Sequence, residues 1–342
     1  MYEVMRYTAD DAERWNRFVA HSKQGTFLFD RNYMDYHANR FQDYSLMVFR
    51  KNCLFALLPA NRVGDTLYSH QGLTYGGLVT DERAVPETVC EALEAINGHL
   101  QREGFRRVVY KPVPHIYHRL PAEEDVYALS LRCHARLVER DASATVLLKC
   151  PLKFPESRRS GIRKAQAQGV TVAESQDVDR FWTILTENLA SKYDATPVHT
   201  AAEMKLLMAR FPDNIRLYMA YDSSGVPLGG TVLYLTSRVV HTQYISASQE
   251  GKRVGALDML FLHLLYEAGF PQDYFDFGTS AQADSNEVNT SLIFQKHGFG
   301  GRTVCYDWYE WELQTSPFSR GSWGVSPGRS REGFHPSIIK HR

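Results

Sequence analysis

The 342-residue sequence lacks an excess of charge of either sign, because 39 Lys and Arg residues balance 39 Asp and Glu residues. A protein that coats nucleic acid carries a basic excess, so this balance argues against that class while leaving room for a local basic groove. Long apolar runs are lacking too. The longest, Ala256 to Leu265, is interrupted by Asp258 and His263, and it is too short and too polar to span a bilayer.

Cysteine is scarce and follows no pairing pattern. The five cysteines are scattered, and no CxxC pair occurs, which argues against a disulfide framework and a zinc ribbon. The sequence opens with MYEVMRYTADDAERW, which has neither the apolar core of a secretory signal nor the character of an Arg/Ser-rich transit peptide. These absences predict a reduced, cytoplasmic protein without a membrane span.

Several familiar catalytic motifs are missing. The sequence has no GxxxxGK[ST] phosphate loop and no GxSxG nucleophile elbow. His115 and His118 come closest to a metal-ligand pair, but prolines at 112, 114 and 121 predict a loop there, and no third ligand is near in sequence. We therefore predict no metal site.

What the sequence does contain is a repeated order of elements. In the first half we predict helices at 10–22 and just after Gly25, strands at 45–49, 53–59 and 66–69, a helix at 86–103 and a strand at 108–111. In the second half we predict helices at 178–192 and 201–210, strands at 215–221, 228–235 and 239–246, a helix at 254–268, a strand at 274–277, a helix at 288–296 and a strand at 304–313. Each half thus reads helix, helix, three strands, helix, strand, which predicts a duplicated α/β unit.

This order sets the predicted domains at residues 1–150 and 151–313. The remaining segment, 314–342, is rich in Ser, Gly, Pro and Arg and is predicted to be disordered. At the junction, a linker helix would stack Arg159 and Arg163 at i,i+4 within a strongly basic stretch. Two interpretations stay open: a solvated helix face, or a patch that binds substrate phosphates, for which arginine is well suited.

The stretch after the strand at 239–246 predicts a donor site. A glycine-containing turn opens a helix there, and helix N-termini offer unpaired N–H groups to anions. The run Arg253-Val254-Gly255-Ala256 resembles the loop that holds the pyrophosphate of coenzyme A in acetyltransferases of the GNAT superfamily, except that the second glycine is missing. The resemblance implies that these four residues bind the donor.

Two further runs strengthen this interpretation. The second half contains YFDFGTS at 274–280 and FQKHGFGG at 294–301, and the first half contains SHQGLTYGG at 69–77 and YKP at 110–112. In this order and spacing the runs resemble the FemAB family of two-domain, GNAT-like transferases, over residues 10 to 313. The resemblance implies a mixed α/β (α+β) fold of two tandem GNAT-like domains.

The resemblance also implies a mechanism. An amine attacks an activated acyl carbon directly, without a metal, a permanently bound cofactor or a covalent enzyme intermediate. A lysine of the family, matched here by Lys296, stabilises the negative charge that develops on the carbonyl oxygen. The alternative is that Lys296 is a surface lysine near a helix C-terminus, where positive charge is favourable.

Donor and acceptor stay open at this point. In peptidoglycan-type members a tryptophan and a lysine contact the acceptor; Tyr33 stands in place of the tryptophan here, and no lysine follows. The long helical arm of some tRNA-using members is absent. We therefore expect acyl-CoA as the co-substrate and a small-molecule or peptidoglycan-related amine as the acceptor. The alternatives are an aminoacyl-tRNA-dependent transferase acting on peptidoglycan precursors, and a non-catalytic binding protein on the same fold.

Overall fold

The computed structural model describes residues 2–193, 196–281 and 287–313. The predicted disordered segment, 314–342, lies outside these residues. The helices are α1 (Ala12–His21), α2 (Arg31–Met34), α3 (Pro86–Arg102), α4 (Glu124–Arg132), α5 (Glu156–Ala167), α6 (Val178–Tyr193), α7 (Ala201–Arg210), α8 (Gln249–Val254), α9 (Ala256–Leu262) and α10 (Thr290–Gly298). None of the described helices is long and apolar enough to cross a membrane.

Most of the remaining ordered chain forms β-strands. The strands are β1 (Tyr2–Arg6), β2 (Gln42–Asp43), β3 (Leu46–Arg50), β4 (Cys53–Leu58), β5 (Asn61–Val63), β6 (Thr66–Tyr68), β7 (Val79–Thr80), β8 (Arg107–Tyr110), β9 (Arg136–Leu147), β10 (Thr171–Ser175), β11 (Ile215–Tyr221), β12 (Pro227–Leu235), β13 (Val239–Ala247), β14 (Tyr274–Thr279) and β15 (Arg302–Glu312).

One large sheet runs through both halves of the chain. Its eleven strands follow the order β10-β11-β12-β13-β14-β9-β15-β8-β6-β5-β2, and a second sheet has the order β1-β3-β4-β7. Strand β15 pairs with β9 on one side and with β8 on the other. The last described strand therefore joins the sheet of the second half to that of the first.

Each half contains a parallel strand pair, β6 with β8 and β13 with β14. The predicted repeat of elements and the mixed α/β fold are thus confirmed. The helix predicted at 254–268 is confirmed as α9 and the π-helical turn His263–Glu267 that continues it. The separate short helix α8 precedes it and was not predicted; the two meet at Gly255, whose φ is +82°.

Helix α3 shows why the predicted helices form where they do. Its apolar residues recur at i, i+4, i+7 and i+11, and Val89, Leu93, Ile96 and Leu100 are all buried on one face. Burying each such side chain contributes about 1.5–3 kcal/mol. Gly104, with a φ of +82°, then turns the chain out of the helix.

Aromatic side chains hold the two halves together. Phe27 and Tyr33 of the first half pack edge-on against Tyr234 of the second. The hydroxyl group of Tyr33 lies 3.3 Å from that of Tyr234. Tyr33 is buried, so it belongs to the core between the halves.

Candidate functional site

The two parallel strands of the second half separate and leave a fork. Strands β13 and β14 pair at Val239↔Tyr274, Val240↔Phe275 and His241↔Asp276, and the pairing stops there. Beyond this point β13 stays paired with β12, while β14 stays paired with β9. His241 and Asp276 thus face each other across the last parallel pair, at the base of the fork.

A cavity of about 40 Å³ lies in the fork. Both diverging strands line it, and so do residues of the first half and of β9 and β15. The lining residues are Thr74, Tyr75, Lys111, Pro112, Asp141, His241, Thr242, Gln243, Phe277, Gly278, Thr279, Tyr306, Asp307 and Trp308. A cavity of this measure holds about three water molecules, which is about the size of the reacting ends of two substrates.

Asp276 is the anchor of the polar network under the cavity. Its carboxylate is fully buried and accepts hydrogen bonds from the Tyr306 hydroxyl at 2.7 Å, the Tyr117 hydroxyl at 2.9 Å, His241 Nδ1 at 3.0 Å, the Thr145 hydroxyl at 3.0 Å, the Gly278 N–H at 3.2 Å and the Ser143 hydroxyl. Burial alone would raise the pKa of Asp276, but these donors and the adjacent imidazole hold the pKa well below its usual range.

Strand β9 supplies part of this network because side chains alternate along a strand. Asp141, Ser143 and Thr145 share one face, and Asp141 lies opposite Tyr306 of β15. The polar face of β9 is therefore turned toward the buried site. This strand was not predicted, since a run with so many polar residues does not read as the centre of a sheet.

The hydrogen bond to Asp276 fixes the state of the His241 ring. Because a carboxylate only accepts, the Nδ1 atom of His241 carries the proton in this bond. The Nε2 atom is then the basic nitrogen of a ring that lines the cavity. An imidazole so oriented can take a proton from a group inside the cavity.

A bulge in β13 shapes the wall next to His241. Thr242 pairs with Leu233 and Tyr244 pairs with Val232, so Gln243 between them has no Cα partner on β12. A bulge of this kind re-aims the local backbone and side chain. Gln243 lines the cavity as a result.

Lys296 lies just behind the cavity wall. Its Nζ atom donates to the carbonyl oxygens of Gly278 and Thr279, at 2.8 and 2.7 Å, and both of these residues line the cavity. The side chain is buried, and burial lowers the pKa of Lys296 to about 7 while the charge of Asp276 opposes the shift. The predicted catalytic role of Lys296 stays a prediction.

The predicted donor loop is packed closely against helix α5. The N–H of Gly255 donates to the carbonyl oxygen of Gly251, and a Cβ atom at position 255 would lie 2.6 Å from the carbonyl oxygen of Gly161. Asp258, in the first turn of α9, pairs with Arg158 at 2.8 Å. The side of the helix start that faces α5 is therefore filled by protein.

The predicted phosphate patch lies on α5. Arg159 and Arg163 both pair with Glu156, at 2.8 and 2.5 Å, and their side chains remain 60% and 61% exposed. Arg253 is also exposed and pairs with Glu250. Since α5 packs along α8 and α9, the structure brings the predicted patch and the predicted donor loop onto neighbouring helices. Tyr33 lies apart from them and does not line the cavity.

Sequence reasoning missed the fork residues themselves. Asp276 stands inside the quoted YFDFGTS run but was not assigned a role, and His241 was treated as an ordinary strand residue. The sequence did contain a signal for this pair. His241 is a histidine within an apolar strand, and Asp276 is an aspartate between two phenylalanines in the next strand of the chain. Within residues 2–193, 196–281 and 287–313, no group of three or more His, Cys, Asp or Glu side chains is arranged to hold a metal ion.

Known proteins share this architecture. The sequence profile of the acetyltransferase (GNAT) domain matches residues 153–284, which contain β13, the predicted donor loop and β14. No curated protein sequence matches the chain significantly.

Solved structures match nearly the whole chain. FemX is 12% identical with a TM-score of 0.62, and the match covers 89% of this chain and 96% of FemX. L-PGS from Bacillus licheniformis is 12% identical with a TM-score of 0.56, over 89% and 91% of the two chains. A tandem GNAT protein from the clavulanic acid biosynthesis pathway is 11% identical with a TM-score of 0.50, over 93% and 100%.

Identities this low establish the shared fold alone, and the domain profile identifies a GNAT domain at residues 153–284. The fork, its cavity and the helix pair α8–α9 lie within or beside that matched region. Residues 153–284 therefore match an acetyltransferase (GNAT) domain, and the chain as a whole shares its fold with FemX and the tandem GNAT protein.

Proposed function

We propose that this protein is an N-acyltransferase that moves an acyl or aminoacyl group from an activated donor to an amine by direct attack. The observation that carries the proposal is the His241–Asp276 pair at the base of the fork. The pair holds a basic imidazole nitrogen at a small cavity, and Asp276 holds the ring in one tautomer. Amine attack on an acyl carbon needs such a base.

The proton route follows from this arrangement. The attacking amine forms the new C–N bond, and His241 Nε2 takes the proton that the nitrogen must lose. The imidazolium is stabilised by the Asp276 carboxylate through Nδ1–H. When the tetrahedral intermediate collapses, the bond to the leaving group breaks and that proton passes to the leaving oxygen or sulfur atom. Tyr117 and Tyr306 keep Asp276 in place, since both hydroxyl groups donate to the same carboxylate oxygen.

Acyl-CoA is the first donor that we propose. Exposed guanidinium groups at Arg159, Arg163 and Arg253 lie on the neighbouring helices α5 and α8, and guanidinium groups suit phosphates. We also propose that the protein acts in the cytoplasm, where such donors are made.

An aminoacyl-tRNA ester is the second candidate donor, and one observation favours it. The start of α9 is covered by α5, with the Asp258 carboxylate beside it. Because α5 occupies that side of the helix start, a pyrophosphate cannot bind there, and an aminoacyl ester does not need such a site. The proposed acceptor is a primary amine, of a small molecule or of a peptidoglycan-related compound, because the cavity admits little more than a reacting end.

Transfer assays with both donors test the proposal. The protein would be incubated with radiolabelled acetyl-CoA or with radiolabelled alanyl-tRNA and a panel of primary amines, and amide products would be identified by mass spectrometry. His241→Gln should lower kcat by about 10²–10⁴-fold with the first active pair, as expected for loss of a general base.

The chain offers a matched control. His263 also pairs with a carboxylate through Nδ1, at 3.1 Å from Glu267, but it does not line the cavity. His263→Gln should leave kcat unchanged. Equal activity of His241→Gln and the parent protein would contradict the assigned base, and no transfer from either donor by folded protein would favour the binding-protein alternative.

A further inference from the structure

Lys111 is held at the corresponding fork of the first half. Strands β6 and β8 end their parallel pairing at Tyr68↔Val109, and Lys111 follows directly after β8. Its backbone N–H donates to the hydroxyl oxygen of Ser69 at 2.8 Å, and its carbonyl oxygen accepts from the N–H of Gly76 at 3.1 Å. The backbone is thus fixed on both sides, which directs the side chain toward the cavity that it lines.

The ammonium group has a defined surrounding. Nζ donates to the carbonyl oxygen of Leu73 at 2.6 Å and lies 4.5 Å from the ring centre of Trp308. Among the described residues, Leu73 is the one acceptor that takes a hydrogen bond from this Nζ, although an ammonium group has three N–H donors. The side chain is only 5% exposed, and it lines the cavity.

Burial and the neighbouring charges shift the pKa of Lys111 in opposite directions. Burial lowers the pKa of Lys111 to about 7, and the carboxylates of Asp141 and Glu139 on β9 act in the other direction. The imidazole of His70, on the loop after β6, also lies within electrostatic reach. A buried lysine with so few fixed acceptors is costly to keep in a fold, which a purely structural role would not require.

Lys296 differs from Lys111 in what its ammonium group contacts. Two of its N–H groups are committed to the carbonyl oxygens of Gly278 and Thr279, and its side chain does not line the cavity. Lys111 does line it, together with His241. Lys111 and the proposed base thus line the same cavity of about 40 Å³.

We propose that Lys111 is a catalytic residue whose ammonium group donates to the acyl oxygen of the donor as that oxygen becomes negatively charged. This inference rests on the proposed acyl transfer. The amine nitrogen bonds to the acyl carbon, and the C=O π electrons move onto the oxygen atom facing Lys111. Collapse then restores the C=O bond, breaks the bond to the leaving group, and returns the proton held by His241 to that group. Stabilisation of this kind acts on the transition state more than on bound substrate.

Kinetics of two substitutions test the assignment. Lys111→Met should lower kcat by about 10²–10³-fold and change KM for donor and acceptor by less than about threefold. Lys149→Met, at an exposed lysine paired with Asp273, is the control and should match the parent protein. A raised KM for the acceptor with kcat retained would overturn the proposal, because it would mean that Lys111 binds an anionic group of the acceptor. A kcat loss in Lys296→Met but not in Lys111→Met would overturn it as well.

Lysine labelling gives a readout that needs no turnover. Trace acetic anhydride would be applied from pH 6 to 9, and acetylation of Lys111 and Lys149 would be quantified by peptide mass spectrometry. Lys111 should titrate with a pKa near 7, and S-acetonyl-coenzyme A or the 3′-alanylamide of adenosine, stable analogues of the two donors, should protect it at least tenfold. Without protection by either analogue, the contact with the acyl oxygen is refuted even if transfer activity is found. With protection but no transfer from either donor, the contact stands and the proposed function fails.

Discussion

Gly255 and Gly161 meet backbone to backbone where α5 crosses the junction of α8 and α9. A Cβ atom at position 255 would come within 2.6 Å of the Gly161 carbonyl oxygen, and Gly255 has a φ of +82°. Glycine at 255 is thus required both by the left-handed conformation and by the contact with α5. Gly255 is therefore needed for the packing of α5 against α8 and α9, and this requirement does not depend on which acyl donor the protein uses.

We expect Gly255→Ala to destabilise the protein more than an equivalent change elsewhere. Gly225 also has a left-handed φ, +80°, but nothing lies within 4 Å of its Cβ position. Gly225→Ala should cost about 1–2 kcal/mol, the penalty for a Cβ atom in this conformation. Gly255→Ala should cost about 1–3 kcal/mol more because of the overpacked contact. Urea denaturation of both variants measures the difference, and equal midpoints would contradict the described contact.

Lys296 should make stability depend on pH on the alkaline side. Its pKa is lowered to about 7 in the folded protein and lies near 10.4 in an unfolded chain. Between these values the unfolded state binds one more proton, so the free energy of unfolding rises with pH, by up to about 1.4 kcal/mol per pH unit from this group. Lys296→Met should reduce the slope between pH 7.5 and 9.5 in urea titrations. An unchanged slope would mean that the ammonium group is hydrated.

His118 should make the stability of the protein depend on pH on the acidic side. Burial lowers its pKa to about 4, although its Nε2 atom bonds to the carbonyl oxygen of Val113 at 2.8 Å. As the pH falls from 6.5 to 4, the unfolded state takes up a proton that the folded state refuses, so stability is lost. His118→Gln keeps a donor for Val113 and removes the titration, so it should lose less stability over this range. His115→Gln, at an exposed position, is the control and should follow the parent protein.

Substitution of the arginines of α5 should affect ligand binding without affecting stability. Because Arg159 and Arg163 are exposed and form surface ion pairs with Glu156, their joint change to Ala should alter the free energy of unfolding by less than about 0.5 kcal/mol. If they contact phosphates, affinity for coenzyme A or for tRNA should fall at least about tenfold, equal to 1.4 kcal/mol. Calorimetric titration measures this. Arg180→Ala, at another exposed arginine paired with an aspartate, should bind as the parent does, and equal binding by the double variant would rule out the patch.

The predictable and unpredictable parts of this protein differ in physical kind. The amphipathic helix α3 and the apolar strands β11 to β13 have the periodicity of elements with one buried face, and they were located to within a few residues. Strand β9 was missed because its inward face carries Asp141, Ser143 and Thr145, which face a polar site. The pairing of His241 with Asp276 depends on a long crossover connection, which no local pattern contains.

The candidate site residues divide in the same way. Gly255 was predicted as a donor-binding residue, which stays a prediction. The contact that requires glycine there involves Gly161 of another helix, which no local pattern contains. Lys296 was found through a run of sequence, whereas Lys111 was quoted within the YKP run without a role. Side chains that meet only in three dimensions were beyond reach, since their partners lie in the other half of the chain.

The position of β15 between β9 and β8 has a consequence for biosynthesis. Strand β8 belongs to the first half, yet the strand that covers its second edge is the last one described. While the ribosome is still making the second half, that edge has its N–H and C=O groups open to other chains. A nascent first half is therefore a natural client for chaperones, and expression of the first half alone should yield aggregates.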